Sequence, residues 1–112
     1  MTTRAGARLW LAQRATAAIL ALCVFVHLAT MIYAVRGGLT AAQILSRTHG
    51  NFLWGTFYSV FVLAAAVHGA IGLRTVAAEW LSFRGNGADA TVTVIALALA
   101  FLGLRAVAAV VL

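Results

Sequence analysis

A histidine in the middle of a long apolar run is the side chain in this sequence with the most chemistry within reach. His68 lies in the run from Phe52 to Leu73, near the middle of a helix expected to continue to about Ser82. An ionisable group in hydrocarbon is costly, and it is read first as a functional position. Gly72, Thr75 and Glu79 follow His68 at four, seven and eleven residues, so at 3.6 residues per turn the four share one helix face. Ala64, Ala65 and Gly72 keep the surroundings of the imidazole shallow, the shape a flat macrocycle needs if an axial nitrogen is to reach its iron. Arg74 lies further along the same helix, and a guanidinium fork pairs well with propionate carboxylates. A second reading needs no cofactor: His68 hydrogen-bonds a neighbouring helix, and the small residues are packing surface. Haem b requires an axial ligand but no covalent cysteine, so the lack of a C-x-x-C-H motif leaves both readings open.

A second histidine, His27, sits on a partly polar stripe of the first apolar segment formed by Thr16, Leu20, Cys23, His27 and Thr30. In an antiparallel helix pair the two imidazoles are expected about 10 Å apart in depth at 1.5 Å per residue. They would therefore serve different haems, each completed by another chain, or His27 makes an interhelical or lipid-headgroup contact. The start of this segment reads Gln13-Arg14-Ala15-Thr16. Arg14, Thr16 and Trp80 are candidate hydrogen-bond donors to the carbonyls of a quinone, with Glu79 as a proton relay. Arg14 and Trp80 serve equally well as interfacial anchors. His49, beside Arg47 in a loop, is expected to be solvated. Cys23, the one cysteine, excludes an internal disulfide and reads as a small packing residue.

The elements that position these residues must be membrane helices. Of 112 residues, 64% are hydrophobic and 9% charged. A soluble domain of this size could not hide that much apolar surface. Ala15 to Val35, Phe52 to Leu73 and Ala90 to Leu112 are each long enough to span, given the need for about 20 apolar residues. The expectation is one all-α integral membrane domain over 1–112, with helix I at about 9–35, helix II at about 52–82 and helix III at about 89–111. Leu39 to Ser46 can add one or two helical turns between the first two spans. Arg84-Gly85-Asn86-Gly87 ends helix II, and Asp89 is the expected N-cap of helix III. All eight basic residues are arginine. They are dispersed and flank apolar runs, which favours topology signals over nucleic-acid binding. Arg4, Arg8, Arg14, Arg74 and Arg84 fall on one side, and Arg36 and Arg47 on the other. This predicts a cytoplasmic N-terminus and a periplasmic C-terminus in a bacterial inner membrane. Arg105, near the outer end of helix III, is placed to snorkel.

The pattern His68-x3-Gly72-x-Arg74-x4-Glu79 resembles the second helix of the cytochrome b membrane subunits of succinate dehydrogenase and fumarate reductase. Arg14-Ala15-Thr16-Ala17 is similar to the corresponding segment of their small hydrophobic anchor subunit. The resemblance covers roughly residues 13–84. It implies a three-span anchor in which His68 is an axial ligand of haem b, with the other ligand supplied by a second cytochrome b membrane subunit. Arg74 would lie near a propionate, and Arg14 and Thr16 would border a site for ubiquinone or menaquinone. Electrons would arrive through partner flavoprotein and iron–sulfur subunits. The chain departs from the family at Glu79-Trp80, where an aspartate–tyrosine pair is common: an indole donates a hydrogen bond but cannot act as an acid. No flavin-binding glycine motif and no cysteine set for iron–sulfur clusters is present, so chemistry on succinate is not expected here. The rival expectations are a haem-free structural subunit of a respiratory complex and a small proton-conducting transporter built on His68 and Glu79.

Overall fold

The computed structural model describes residues 4–112. They form four helices: α1 (Arg4–Arg36), α2 (Ala41–Thr48), α3 (Phe52–Trp80) and α4 (Asn86–Val111). Three of them, α1, α3 and α4, are long and apolar enough to cross a membrane. α1 begins before Leu9 because Arg4, Ala5, Ala7 and Arg8 are strong helix formers and extend the helix outward from its apolar portion. α2 fills the expected short helical segment. Thr40 and Gln43 cap it reciprocally, with the Gln43 N–H donating to the Thr40 hydroxyl and the Thr40 N–H to Gln43 Oε1.

The turn after α3 differs from expectation. α3 stops at Trp80 because Ser82 adopts a left-handed conformation, φ 52°. The Phe83 N–H folds back to the Ala77 carbonyl at 3.0 Å, and Arg84 Nη2 donates to Ala78 O at 2.9 Å. Gly85, at φ 89°, is then the N-cap of α4 in place of Asp89. Asp89 lies in the first turn of α4 instead, where its negative charge faces the positive end of the helix dipole.

α3 is the central element. It packs along both α1 and α4, which touch each other little. Lipid tails give no hydrophobic drive for helices to associate, so close backbone approach has to supply the contact. The seams are accordingly built from small residues. Among the described residues Cys23, Ala64, Ala66, Ala70, Ala77, Ala88 and Val92 are the buried apolar positions, and no large side chain is fully enclosed. Toward α4, α3 presents Gly55 against Val111 and Val62 against Gly103, which fixes an antiparallel register. Large residues such as Leu22, Phe25 and Phe101 face outward and are mostly exposed, the reverse of a water-soluble fold. α2 lies across the far end of this row, where Thr48 Oγ1 donates to Val110 O at 2.7 Å and Gly50 N–H to Val111 O at 2.6 Å.

A Cβ added at Gly103 would overlap Val62 Cγ1. Gly103→Ala is therefore expected to cost about 1–3 kcal/mol through overpacking. Val62→Ala in the same chain should recover part of that loss. Thermal unfolding of the single and double variants in lipid nanodiscs checks both.

Candidate functional site

The stripe of α1 singled out in the sequence is the face that meets α3. Gln13, Thr16, Leu20, Cys23, His27 and Thr30 are each partly or fully buried, while the residues between them, Val26 excepted, are exposed. Three contacts fix the pairing. Gln13 lies against Gly72, Thr16 against His68, and His27 against Tyr58 and Phe61. Each step forward on α1 is a step back on α3, as an antiparallel pair requires.

At the second of these levels sit the two residues expected to matter most. Thr16 Oγ1 lies 3.2 Å from His68 Nδ1. The same oxygen is 2.7 Å from Ala12 O and 3.1 Å from Gln13 O on its own helix. Among the described residues His68 Nε2 has no hydrogen bond, yet it is not one of the sealed-off polar atoms, which are Gln13 Oε1 and His27 Nδ1. One nitrogen of His68 is thus held by α1, and the other reaches the surface of the chain. Gly72 sits one turn further on. It faces the Gln13 amide, and a Cβ there would stand 3.4 Å from Gln13 Nε2, an ordinary contact. Beside His68, Gly69 has open space where a side chain would be.

Gln13 is the residue the sequence reading passed over. It lies three positions before Thr16 on the same stripe, so helical spacing alone could have added it. Its neighbour Arg14 points away from α3, with its guanidinium 5.3 Å from the Trp10 ring centroid. Trp80, the last residue of α3, is largely exposed. The register places Arg14 level with about residue 70 of α3, so Trp80 lies roughly 14 Å away along the axis. The structure therefore joins Thr16 to His68 but does not bring Trp80 to Arg14 and Thr16.

Arg74 turns toward α4. Its Nε donates to Asp89 Oδ1 at 2.8 Å, in a half-exposed pair. The remaining four N–H groups of the guanidinium make no hydrogen bond among the described residues. Glu79 and Thr75 are exposed on the His68 side of α3.

His27 occupies a different setting. Its ring meets Tyr58 and Phe61 edge-on, with centroids 5.8 and 5.7 Å away. Trp54 stacks on Tyr58, and Phe57 completes the aromatic cluster. The pairing puts His27 eleven residues along α1 from Thr16, so the two imidazoles are about 16 Å apart in depth, further than the sequence alone suggested. At that separation the two imidazoles cannot share an iron within the chain. A cavity of about 550 Å³ adjoins His27 at the α2 end, lined also by Thr30, Tyr33, Arg47, Asn51 and Trp54. His49 is exposed, as expected. Among the described residues no three of His, Cys, Asp and Glu gather as a metal site.

Three apolar spans and one half-free histidine on the middle helix set the frame for comparison. The family model for the succinate dehydrogenase/fumarate reductase transmembrane subunit matches residues 1–105. The chain belongs to this family. It is a multi-pass membrane protein and a transmembrane subunit of a succinate dehydrogenase/fumarate reductase complex, as the resemblance at His68 to Glu79 implied. Comparison with curated proteins and with solved structures gives no match. The region shared with the family takes in the whole α1/α3 pair, and with it Thr16, His27, His68 and Arg74.

His27 Nδ1 is buried without a hydrogen-bond partner. Leaving such an atom unpaired costs about 1–3 kcal/mol, so His27→Phe, which removes it and extends the aromatic cluster, should leave the isolated chain as stable or more stable. A lower unfolding midpoint for His27→Phe in nanodiscs would count against this account of His27.

Proposed function

We propose that this family member is the haem-carrying, quinone-side anchor of its complex. His68 supplies one axial nitrogen to haem b, and a second cytochrome b membrane subunit supplies the other. The observation that carries the reading is the state of His68: Nδ1 is anchored on α1, while Nε2 is free and reaches the surface. A haem between two chains asks one oriented imidazole of each. The open space at Gly69 and the small, exposed side chain of Ala65 suit a ring lying close to α3, whereas Ala64 is buried within the bundle. Arg74 spends one N–H on Asp89, which leaves its terminal nitrogens for a propionate. When bound, haem b supplies one-electron transfer between the iron–sulfur subunit and quinone.

The chain's own residues orient and tune that group; they do not act on succinate. The single hydroxyl proton of Thr16 is already engaged within the α1/α3 seam, so Arg14 is the donor this chain offers to a quinone carbonyl at the same end. Trp80 acts as an interfacial ring. Five arginines at the end holding the α1 N-terminus and the α3–α4 turn, against Arg36 and Arg47 at the other, support a cytoplasmic N-terminal end in a bacterial inner membrane. The flavoprotein and iron–sulfur subunits would dock there. His27, caged by aromatic rings, is assigned to packing and not to a second haem.

His68→Ala is expected to abolish the reduced-minus-oxidised haem b spectrum of the purified complex or shift it markedly, while His49→Ala leaves it as in the parent. An unaltered spectrum in His68→Ala removes the ligand assignment and favours a haem-free structural subunit.

A further inference from the structure

The three contacts of Thr16 Oγ1 decide where the proton on His68 sits. A hydroxyl has one hydrogen and two lone pairs, and carbonyl oxygens can only accept. Oγ1 stands 2.7 Å from Ala12 O and 3.1 Å from Gln13 O. If the hydroxyl hydrogen pointed at His68, two carbonyl oxygens would face the lone pairs of Oγ1 with no hydrogen between them, one at only 2.7 Å. The hydrogen therefore goes to Ala12 O, the usual bond of a helical threonine to the carbonyl one turn back. Oγ1 is then an acceptor toward α3, and the atom opposite it at 3.2 Å, His68 Nδ1, must be the donor.

We infer that Thr16 is the positioning residue of His68: it accepts from the Nδ1–H, selects that tautomer, and holds the ring so that the Nε2 lone pair faces outward. This deepens the haem reading and rests on it for what Nε2 binds. Histidine free in water favours the Nε2–H form, which offers no lone pair at Nε2, so the preference has to be imposed by a neighbour. Thr16 imposes it from another helix, which makes the ring orientation depend on the α1/α3 seam. A ligand imidazole whose other N–H is hydrogen-bonded is more basic, and losing such a partner lowers metal affinity about 10–100-fold. A more basic ligand favours ferric over ferrous iron, so removing the bond raises the haem midpoint potential.

Two measurements test this. The first needs no haem: ¹⁵N chemical shifts of His68 in the full chain, labelled at histidine and held in lipid nanodiscs. Nδ1 protonated with Nε2 bare is expected in the parent and in Thr16→Ser. Thr16→Val, which keeps the volume and drops the hydroxyl, should return the ring toward Nε2–H. The second is an optical redox titration of the purified complex. Thr16→Val should show a raised haem b midpoint and haem retention weakened by about 10–100-fold, with Thr16→Ser restoring both. An Nε2–H histidine in the parent, or a Thr16→Val complex with the parent's tautomer and midpoint, overturns the role of Thr16, while loss of haem in His68→Ala would still uphold the ligand. The reverse result, an Nδ1–H tautomer beside an unaltered haem spectrum in His68→Ala, overturns the haem reading and with it the purpose assigned to Thr16.

Discussion

Close backbone contact along both sides of α3 is the constraint from which the rest follows. In hydrocarbon, apolar side chains gain nothing by turning inward, so helices are held by surface fit and by polar pairs between them. α3 meets this with alanine and glycine at helical spacing on two faces. Gly55, Val62, Ala66, Ala70 and Ala77 serve the α4 side, and Gly72 and Ala64 the α1 side. Because Gly103 leaves no room for a Cβ over Val62, the α3/α4 register cannot slide. On the other side, the α1/α3 register is marked by Gln13 over Gly72, Thr16 at His68 and His27 against Tyr58 and Phe61. The level at which Thr16 meets His68 belongs to this second seam.

Polar groups inside such a bundle have no water to fall back on. The threonines resolve this locally: Thr16, Thr75, Thr91 and Thr93 each donate to the carbonyl four residues back. A threonine satisfied in this way becomes a pure acceptor toward any other helix. That turns a common packing device into a selective one at the single place where an imidazole lies opposite. The two half-buried histidines show the contrast. His68 is paired at one nitrogen and open at the other, whereas His27 has aromatic edges around it and an unpaired Nδ1. Similar residues at different depths have been given different work by their neighbours.

The row of three spans, with α1 and α4 flanking α3, leaves broad apolar faces exposed. In a transmembrane subunit of a succinate dehydrogenase/fumarate reductase complex such faces belong in the membrane. Asp89 joins the two ends of the α3–α4 turn by pairing with Arg74, and Arg84 closes the last turn of α3. Both are exposed interactions that steady a turn more than they stabilise the bundle.

Much of this was already legible in the residues. Three apolar runs of sufficient length, the third interrupted only by Arg105, dictate three spanning helices, because a helix satisfies its own backbone in lipid. The spacing of Thr16, Cys23 and His27 marks the buried face of α1, and the small residues around His68 mark a close approach on α3. The pattern from His68 to Glu79 was specific enough to indicate the family. The end of α3 was not legible, since a left-handed Ser82 depends on what Arg84 and Phe83 can reach once the turn is formed. The partner of His68 was not legible either. Composition assigns a hydroxyl and an imidazole to different helices, and no local rule says which turn of one faces which turn of the other. That is set by the fit of glycine and alanine against their neighbours across the seam, a long-range steric fact that exists only when the helices are packed.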